Sequence, residues 1–254
     1  TISSGGVLLA EAGTGTGKTL AYLVPAILSG ERVLVSTGTK NLQEQIFFKD
    51  LPILQQALGR SFSATLMKGR ANYLCLHRFE LYRDGVSGNV TAPGRLIDTS
   101  DRVLLPVIDA WSKTTTTGDR AELRDLPEDL PMWKDVAADA DTCLGTDCTR
   151  YSECFVTLMR QRAAESDVVI VNHHLLCADA AVRQSEFGEV IPSCSTLVVD
   201  EAHQLEDVAT QYFGVVISNS RVDALTRDGT RIGSTGVFGR ATEQVFRDLE
   251  RVAN

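Results

Sequence analysis

Three glycines in alternate positions, Gly13, Gly15 and Gly17, run directly into Lys18 and Thr19 in the stretch AGTGTGKT. With Ala12 standing where the first glycine is usual, residues 12–19 (Ala12, Gly13, Thr14, Gly15, Thr16, Gly17, Lys18, Thr19) keep the spacing of a phosphate loop. Glycines allow the backbone to curl and aim N–H groups at one anion, and a following helix adds its partial positive charge. Lys18 would reach the β- and γ-phosphates of a nucleotide and the Thr19 hydroxyl would ligate Mg2+. A second stretch, LVVDEAH, ends an apolar run on Asp200 and Glu201. An acid at the carboxyl end of a buried strand stands where open α/β sheets bind ligands. Asp200 is expected to hold the Mg2+ and Glu201 to orient and deprotonate an attacking water. Together the two stretches imply nucleoside triphosphate hydrolysis.

Six cysteines pose a separate question, because three of them, Cys143, Cys148 and Cys154, fall in one short polar segment, DTCLGTDCTRYSECF. With Cys75 they form a set of four separated by sixty-seven, four and five residues. Four thiolates can hold zinc or an iron-sulfur cluster. Zinc sites commonly show two tight C-x2-4-C pairs; here only Cys143 and Cys148 reach the upper end of that spacing, so the set suits a larger cube better. Cys177 and Cys194 lie beside apolar segments and read as ordinary buried thiols.

The elements that must position these groups follow from hydrophobic pattern. VLLAE (7–11) reads as a strand leading into the glycines, and LAYLVPAIL after them as a helix. RVLVST gives a second strand, TKNLQEQIFFKDLPIL a helix with Leu42, Ile46 and Leu51 on one face, and SATLMKG a third strand. The rhythm fails between about Gly69 and Ser166, then resumes in DVVIVN and STLVVDEAH. Past Asp207, YFGVVIS reads as strand and ATEQVFRDLERVAN as helix. Alternating strands and helices predict an α/β lobe with a mostly parallel sheet, interrupted by an insertion of about a hundred residues, longer than a plain loop. The chain has 254 residues, 43% of them hydrophobic, enough for one large core. Its net charge of −8 is partly local: residues 119–141 carry eight acids against three bases. Local patches rather than net charge govern nucleic-acid binding. The apolar runs fall short of the ~20 residues needed to span a bilayer. No membrane partner is expected. The opening TISSGG has neither an initiating Met nor the marks of a secretory signal, so the chain reads as cytosolic and clipped from something longer.

The motifs EAGTGTGKT, STGTKNLQEQ, KGRANYLC, VIVNHHLL and VVDEAH resemble the superfamily 2 helicases, and with the cysteines the iron-sulfur helicases of the XPD and DinG group, most strongly the bacterial DinG-type branch. The resemblance runs from about Val7 to Asp207. It implies a RecA-like first motor lobe in two parts (1–68 and 166–207), an iron-sulfur insertion at 69–165 and the start of a helical arch at 208–254. It implies a [4Fe-4S] cluster on Cys75, Cys143, Cys148 and Cys154, with ATP and Mg2+ at the phosphate loop. The implied activity is 5′ to 3′ helicase action on single-stranded or forked DNA, with RNA-DNA hybrids as further substrates, in a nucleoid-associated bacterial cytosolic protein. A second motor lobe, with the arginines it contributes in cis, is not present in the sequence.

For DNA contact the resemblance points to Thr37, Thr39 and Lys40. Basic and aromatic residues in LMKGRANYLCLHR add Lys68, Arg70 and Tyr73, since cations neutralise phosphates and rings stack on bases. Arg150 and Tyr151 are weaker candidates. His203 is implied to couple the nucleotide site to the DNA-facing surface. Asn172, His173 and His174 close the VIVN strand, and adjacent histidines with no accompanying carboxylate do not read as a metal site. Two rival readings are a nucleic-acid-binding module with structural zinc and a P-loop ATPase that remodels proteins.

Overall fold

In the computed structural model the described residues are 2, 4–13, 15–87, 99–127, 130–184 and 188–214. Thr14 and the expected arch segment beyond 214 therefore lie outside the described residues. Four strands form one parallel sheet: β1 (Val33–Thr37), β2 (Ala64–Leu66), β3 (Val168–Asn172) and β4 (Thr196–Val199), in the order β2-β3-β1-β4. Parallel neighbours need crossovers, and the helices supply them. They are α1 (Lys18–Ser29), α2 (Lys40–Gln45), α3 (Leu51–Leu58), α4 (Leu76–Ser87), α5 (Thr99–Ser112), α6 (Trp133–Val136), α7 (Phe155–Glu165), α8 (His173–Arg183) and α9 (Leu205–Phe213). A π-turn at Ile46–Asp50 joins α2 to α3.

Every residue of β1 is buried, as are the first four of β3, because the sheet is covered on both faces. Strand alternation divides them. Val33, Val35, Val168 and Ile170 face a layer made by Leu23, Ala26 and Ile27 of α1, Ile46, and Leu51 and Leu54 of α3. Leu34, Val169 and Val171 face the other way, into one continuous core with Tyr73, Leu74, Phe79, Leu105, Ile108, Met132, Trp133, Val136, Phe155 and Met159. The described residues of 69–165 thus pack on the second face of the sheet and share its core. Contacts group residues 1–208 into one unit and 209–254 into another.

Local signals explain most boundaries. Thr39 caps α2 by accepting from the N–H of Leu42 at 3.2 Å, and Asn172 caps α8 from Leu175 at 2.9 Å. Two expectations are corrected. Residues 7–11 join no strand, and Val7, Leu8 and Leu9 are 89%, 71% and 91% exposed. Apolar content made that run look like a strand, but a strand exists only with a hydrogen-bonded neighbour, and none of the described residues pairs with these. Tyr212 and Phe213, the first residues of the expected strand YFGVVIS, end α9, and 215–218 lie outside the described residues. The stretch whose rhythm failed also holds two long helices: α5 buries Leu105 and Ile108 and continues through Pro106. No helix among the described residues is long and apolar enough to cross a membrane.

Candidate nucleotide site and cysteine turns

The glycine loop leads into α1 as its spacing requires. Gly15 and Gly17 have φ of 76° and 85°, left-handed conformations that favour glycine, and nothing stands where their Cβ atoms would be. The Thr16 hydroxyl donates to the carbonyl of Gly13 at 2.8 Å and tightens the curl. The first turn of α1 contains no acid, so its free N–H groups face an open, exposed loop suited to an anion.

Lys18, the first residue of α1, reaches across to the end of the sheet. Its Nζ donates to Oε1 of Glu201 at 2.8 Å, and Nδ1 of His203 lies 3.5 Å from Oε2 of the same carboxylate. The hydrogen bond with Lys18 holds the Glu201 carboxyl below the usual range and raises the Lys18 ammonium, each stabilising the charged form of the other. Asp200 is anchored by its N–H, which donates to the carbonyl of Ser36 at 2.8 Å and so ties the β4 turn to β1. Glu201 has φ 53° and ψ 45°, the left-handed region for a residue with a side chain. That geometry costs ~1–2 kcal/mol and is held by its surroundings.

Thr19 and Asp200, the two expected Mg2+ ligands, converge on one place: both approach the hydroxyl of Tyr22, one turn along α1 from Lys18. That hydroxyl is sealed from solvent without a hydrogen bond of good geometry, and burial, reinforced by Asp200, pushes the phenol well above its usual range. Sequence reasoning missed Tyr22, although its spacing of three from Thr19 and four from Lys18 places all three on one face of α1. It also missed two contacts at the β1 end, one from the start of α8 and one from the residue after the DEAH turn. His173 Nδ1 lies 2.7 Å from Ser36 Oγ, both fully buried, and the side-chain amide of Gln204 fills the space that a Cβ on Gly38 would need.

The residues expected to meet DNA separate into two groups. Thr39 and Lys40 are exposed; Thr37 is buried, its hydroxyl donating to the carbonyl of Thr39 at 3.1 Å, and Lys40 Nζ donates to Asn72 Oδ1 at 2.8 Å. Lys68 and Tyr73 need correcting. Lys68 is 3% exposed, its ammonium 2.7 Å from both Glu44 and Asp119, and the Tyr73 hydroxyl accepts the N–H of Lys68 inside the core. Burial alone would lower the Lys68 pKa, but the two carboxylates outweigh it and keep the charge. Neither side chain presents a surface to phosphate or base. Arg70 is half-buried beside the guanidinium of Arg160. Arg150 pairs with Glu80 at 2.9 Å and Glu153 at 2.8 Å, and Tyr151 is 40% exposed.

The cysteines expected to act together lie on adjoining short turns. Cys75 precedes α4, Cys148 closes a 3-10 turn at Gly145–Asp147, and Cys154 ends another at Tyr151–Glu153 and leads into α7. Burial raises the Cys75 thiol, and the nearby sulfurs of Cys154 and Cys148 raise it further. Cys143, exposed, accepts from the N–H of Gly145 at 3.5 Å, and with Cys154 it lies within the field of Arg160. Thiols at Cys143 and Cys154 within the field of the Arg160 guanidinium suit a thiolate-bound, negatively charged group. No set of three or more His, Cys, Asp or Glu among the described residues is arranged to hold a metal ion as it stands. Cys177 is buried, and the Cys194 thiol donates to the carbonyl of Pro192 at 3.3 Å.

A parallel sheet with a glycine loop opening α1, and paired acids ending a neighbouring strand, defines a RecA-like P-loop lobe. Residues 1–146 match the family model described as DEAD/DEAH box helicase. The chain belongs to the DEAD/DEAH box helicases. Among curated proteins it is 47% identical over 221 residues to an ATP-dependent DNA helicase YoaA of Haemophilus influenzae, covering 87% of this chain and 33% of that one. It is 42% identical over 252 residues to an ATP-dependent DNA helicase YoaA of Escherichia coli (99% and 38%). It is 38% identical over 250 residues to an ATP-dependent helicase DinG of Mycobacterium tuberculosis (89% and 35%). The chain thus spans about a third of the length of these relatives.

Proposed function

We propose that this chain is the nucleotide-binding lobe of an ATP-dependent DNA helicase of the DinG type, acting 5′ to 3′ on single-stranded or forked DNA and on RNA-DNA hybrids. A second motor lobe in the same polypeptide would supply arginines to the transferring phosphate. The observation that carries this reading is the 2.8 Å contact between Lys18 and Glu201, which brings the phosphate loop and the acid pair into one site.

The loop N–H groups and the start of α1 would hold the triphosphate. The γ-phosphate competes with Glu201 for the Lys18 ammonium. Once Lys18 turns to phosphate, the Glu201 carboxylate is free to orient a water and take its proton. Thr19 and Asp200 would hold Mg2+, which neutralises charge developing on the phosphate oxygens. Thr39 and Lys40 are placed to grip a DNA backbone without reading its sequence. Cys75, Cys143, Cys148 and Cys154 would hold a [4Fe-4S] cluster that stiffens the insertion as a strand guide. The protein would act in the bacterial cytosol, associated with the nucleoid.

Glu201→Gln in the full polypeptide tests this reading. It should keep ATP binding and lose ~10²–10⁴-fold in hydrolysis rate, whereas Lys18→Ala should weaken binding itself. Hydrolysis by Glu201→Gln at the unsubstituted rate would remove Glu201 from the role of base.

A further inference from the structure

A buried ring beneath the catalytic turn has no part in the reaction described above. His173, the first residue of α8, is 0% exposed. Its Nδ1 lies 2.7 Å from the hydroxyl of Ser36, itself fully buried in β1, and the carbonyl of Ser36 accepts the N–H of Asp200. The other ring nitrogen, Nε2, is sealed from solvent without a hydrogen bond of good geometry, and the ring lies against the backbone of Asp200 and Glu201. The carbonyls there can only accept. With hydrogen on Nε2 the ring would present a donor to those carbonyls while Nδ1 accepts from Ser36.

Two local costs thus meet at one turn. A buried ring nitrogen goes without a well-formed hydrogen bond, and Glu201 sits in the left-handed region. A rotation of the turn that brings a carbonyl of Asp200 or Glu201 onto Nε2 relieves the first and can relieve the second. The Lys18 and His203 contacts to the Glu201 carboxylate oppose that rotation. On the opposite side of the ring, Ser36 is followed directly by Thr37, Gly38, Thr39 and Lys40, the segment assigned to DNA, and Gln204 packs on Gly38 to close the same circuit.

We propose that His173 is a positioning residue that ties the DNA-facing end of β1 to the catalytic turn, transmitting strand contact at Thr39 and Lys40 through Ser36 to the backbone of Glu201. This rests on the helicase reading above. The resemblance implied His203 as the link to the DNA-facing surface; the exposed His203 stands 3.5 Å from the Glu201 carboxylate, and the link proposed here runs instead through the buried ring.

The test uses the full polypeptide, with ATP hydrolysis measured without DNA and with saturating oligothymidylate. His173→Asn keeps an acceptor near the Nδ1 position and loses reach to the turn; His173→Gln keeps an N–H near the Nε2 position. His173→Asn should reduce the ratio of DNA-saturated to DNA-free kcat about tenfold, with KM for ATP changed less than about twofold, and His173→Gln should recover most of the ratio. Full stimulation in His173→Asn, or equal proportional loss of both rates, overturns the proposal. If the His173 variants do not fold, Ser36→Ala decides: selective loss of stimulation supports the link and an unchanged ratio removes it. A parent enzyme that DNA does not stimulate would instead refute the helicase reading, so the two failures differ.

Discussion

The glycine loop and the cysteine turns both present chemistry on short irregular segments, but their supports differ. The loop is held between α1, whose Leu23, Ala26 and Ile27 are buried against the sheet, and a β4 turn whose Asp200 N–H is bonded to β1. Its charged groups already meet, with Lys18 on Glu201. The turns around Cys143, Cys148 and Cys154 are three-residue 3-10 segments with no buried residue of their own, and among the described residues their thiols belong to no set arranged to hold a metal. The difference teaches that a phosphate site can be pre-organised by regular elements, whereas a thiolate site on turns depends on what it binds for its final order.

That contrast can be broken or sharpened. The largest effect is expected from removing the bound group. Cys75→Ser, prepared without air, should lose iron and visible iron-sulfur absorbance entirely and expose residues 139–154 to protease, while the chain still binds an ATP analogue. Zinc without iron in the unsubstituted protein would reverse the cluster assignment. Next, equal deletions should have unequal costs. Ile170→Ala, in the fully buried centre of β3, should lower unfolding free energy by ~2–5 kcal/mol, whereas Leu144→Ala, at a position 51% exposed, should stay within ~0.5 kcal/mol in denaturant titration.

A third variant tests whether the two regions are mechanically one. Asp119→Ala leaves the buried Lys68 ammonium with Glu44 alone and should cost ~3 kcal/mol. A loss below ~0.5 kcal/mol would show that the insertion is held by its apolar core without that pair. The smallest effect concerns acid. The backbone N–H and hydroxyl of Ser63, each 2.8 Å from Asp167 Oδ2, hold that carboxyl below its usual range and join the β2 and β3 ends. The folded state binds the Asp167 proton more weakly than the unfolded chain does. Its contribution is therefore full above pH ~4 and disappears as pH falls through the lower folded value. Asp167→Asn should cost ~1 kcal/mol at neutral pH and flatten that part of the acid dependence.

The sequence was most informative where one local rule governs the outcome. Alternate glycines before Lys18 specify left-handed turns, and Thr39 and Asn172 specify helix starts, so these features were legible without a neighbour. VLLAE failed because strand formation needs a partner that apolar pattern does not record. Lys68 and Tyr73 failed for a related reason: a cation and a ring read as surface chemistry until Glu44 and Asp119, remote in sequence, are found to enclose them. Tyr22 was available from helical spacing alone. His173 was not, since its orphaned nitrogen is defined by the distant turn at Glu201.

The central claim is that Lys18 restrains Glu201 until a nucleotide arrives, and it is most directly tested by a crystal structure of the full polypeptide with Mg2+ and a non-hydrolysable ATP analogue. The account predicts that Lys18 Nζ leaves Glu201 for the terminal phosphate and that Glu201 faces a water in line with it. Retention of the Lys18–Glu201 pair with the triphosphate bound would contradict it.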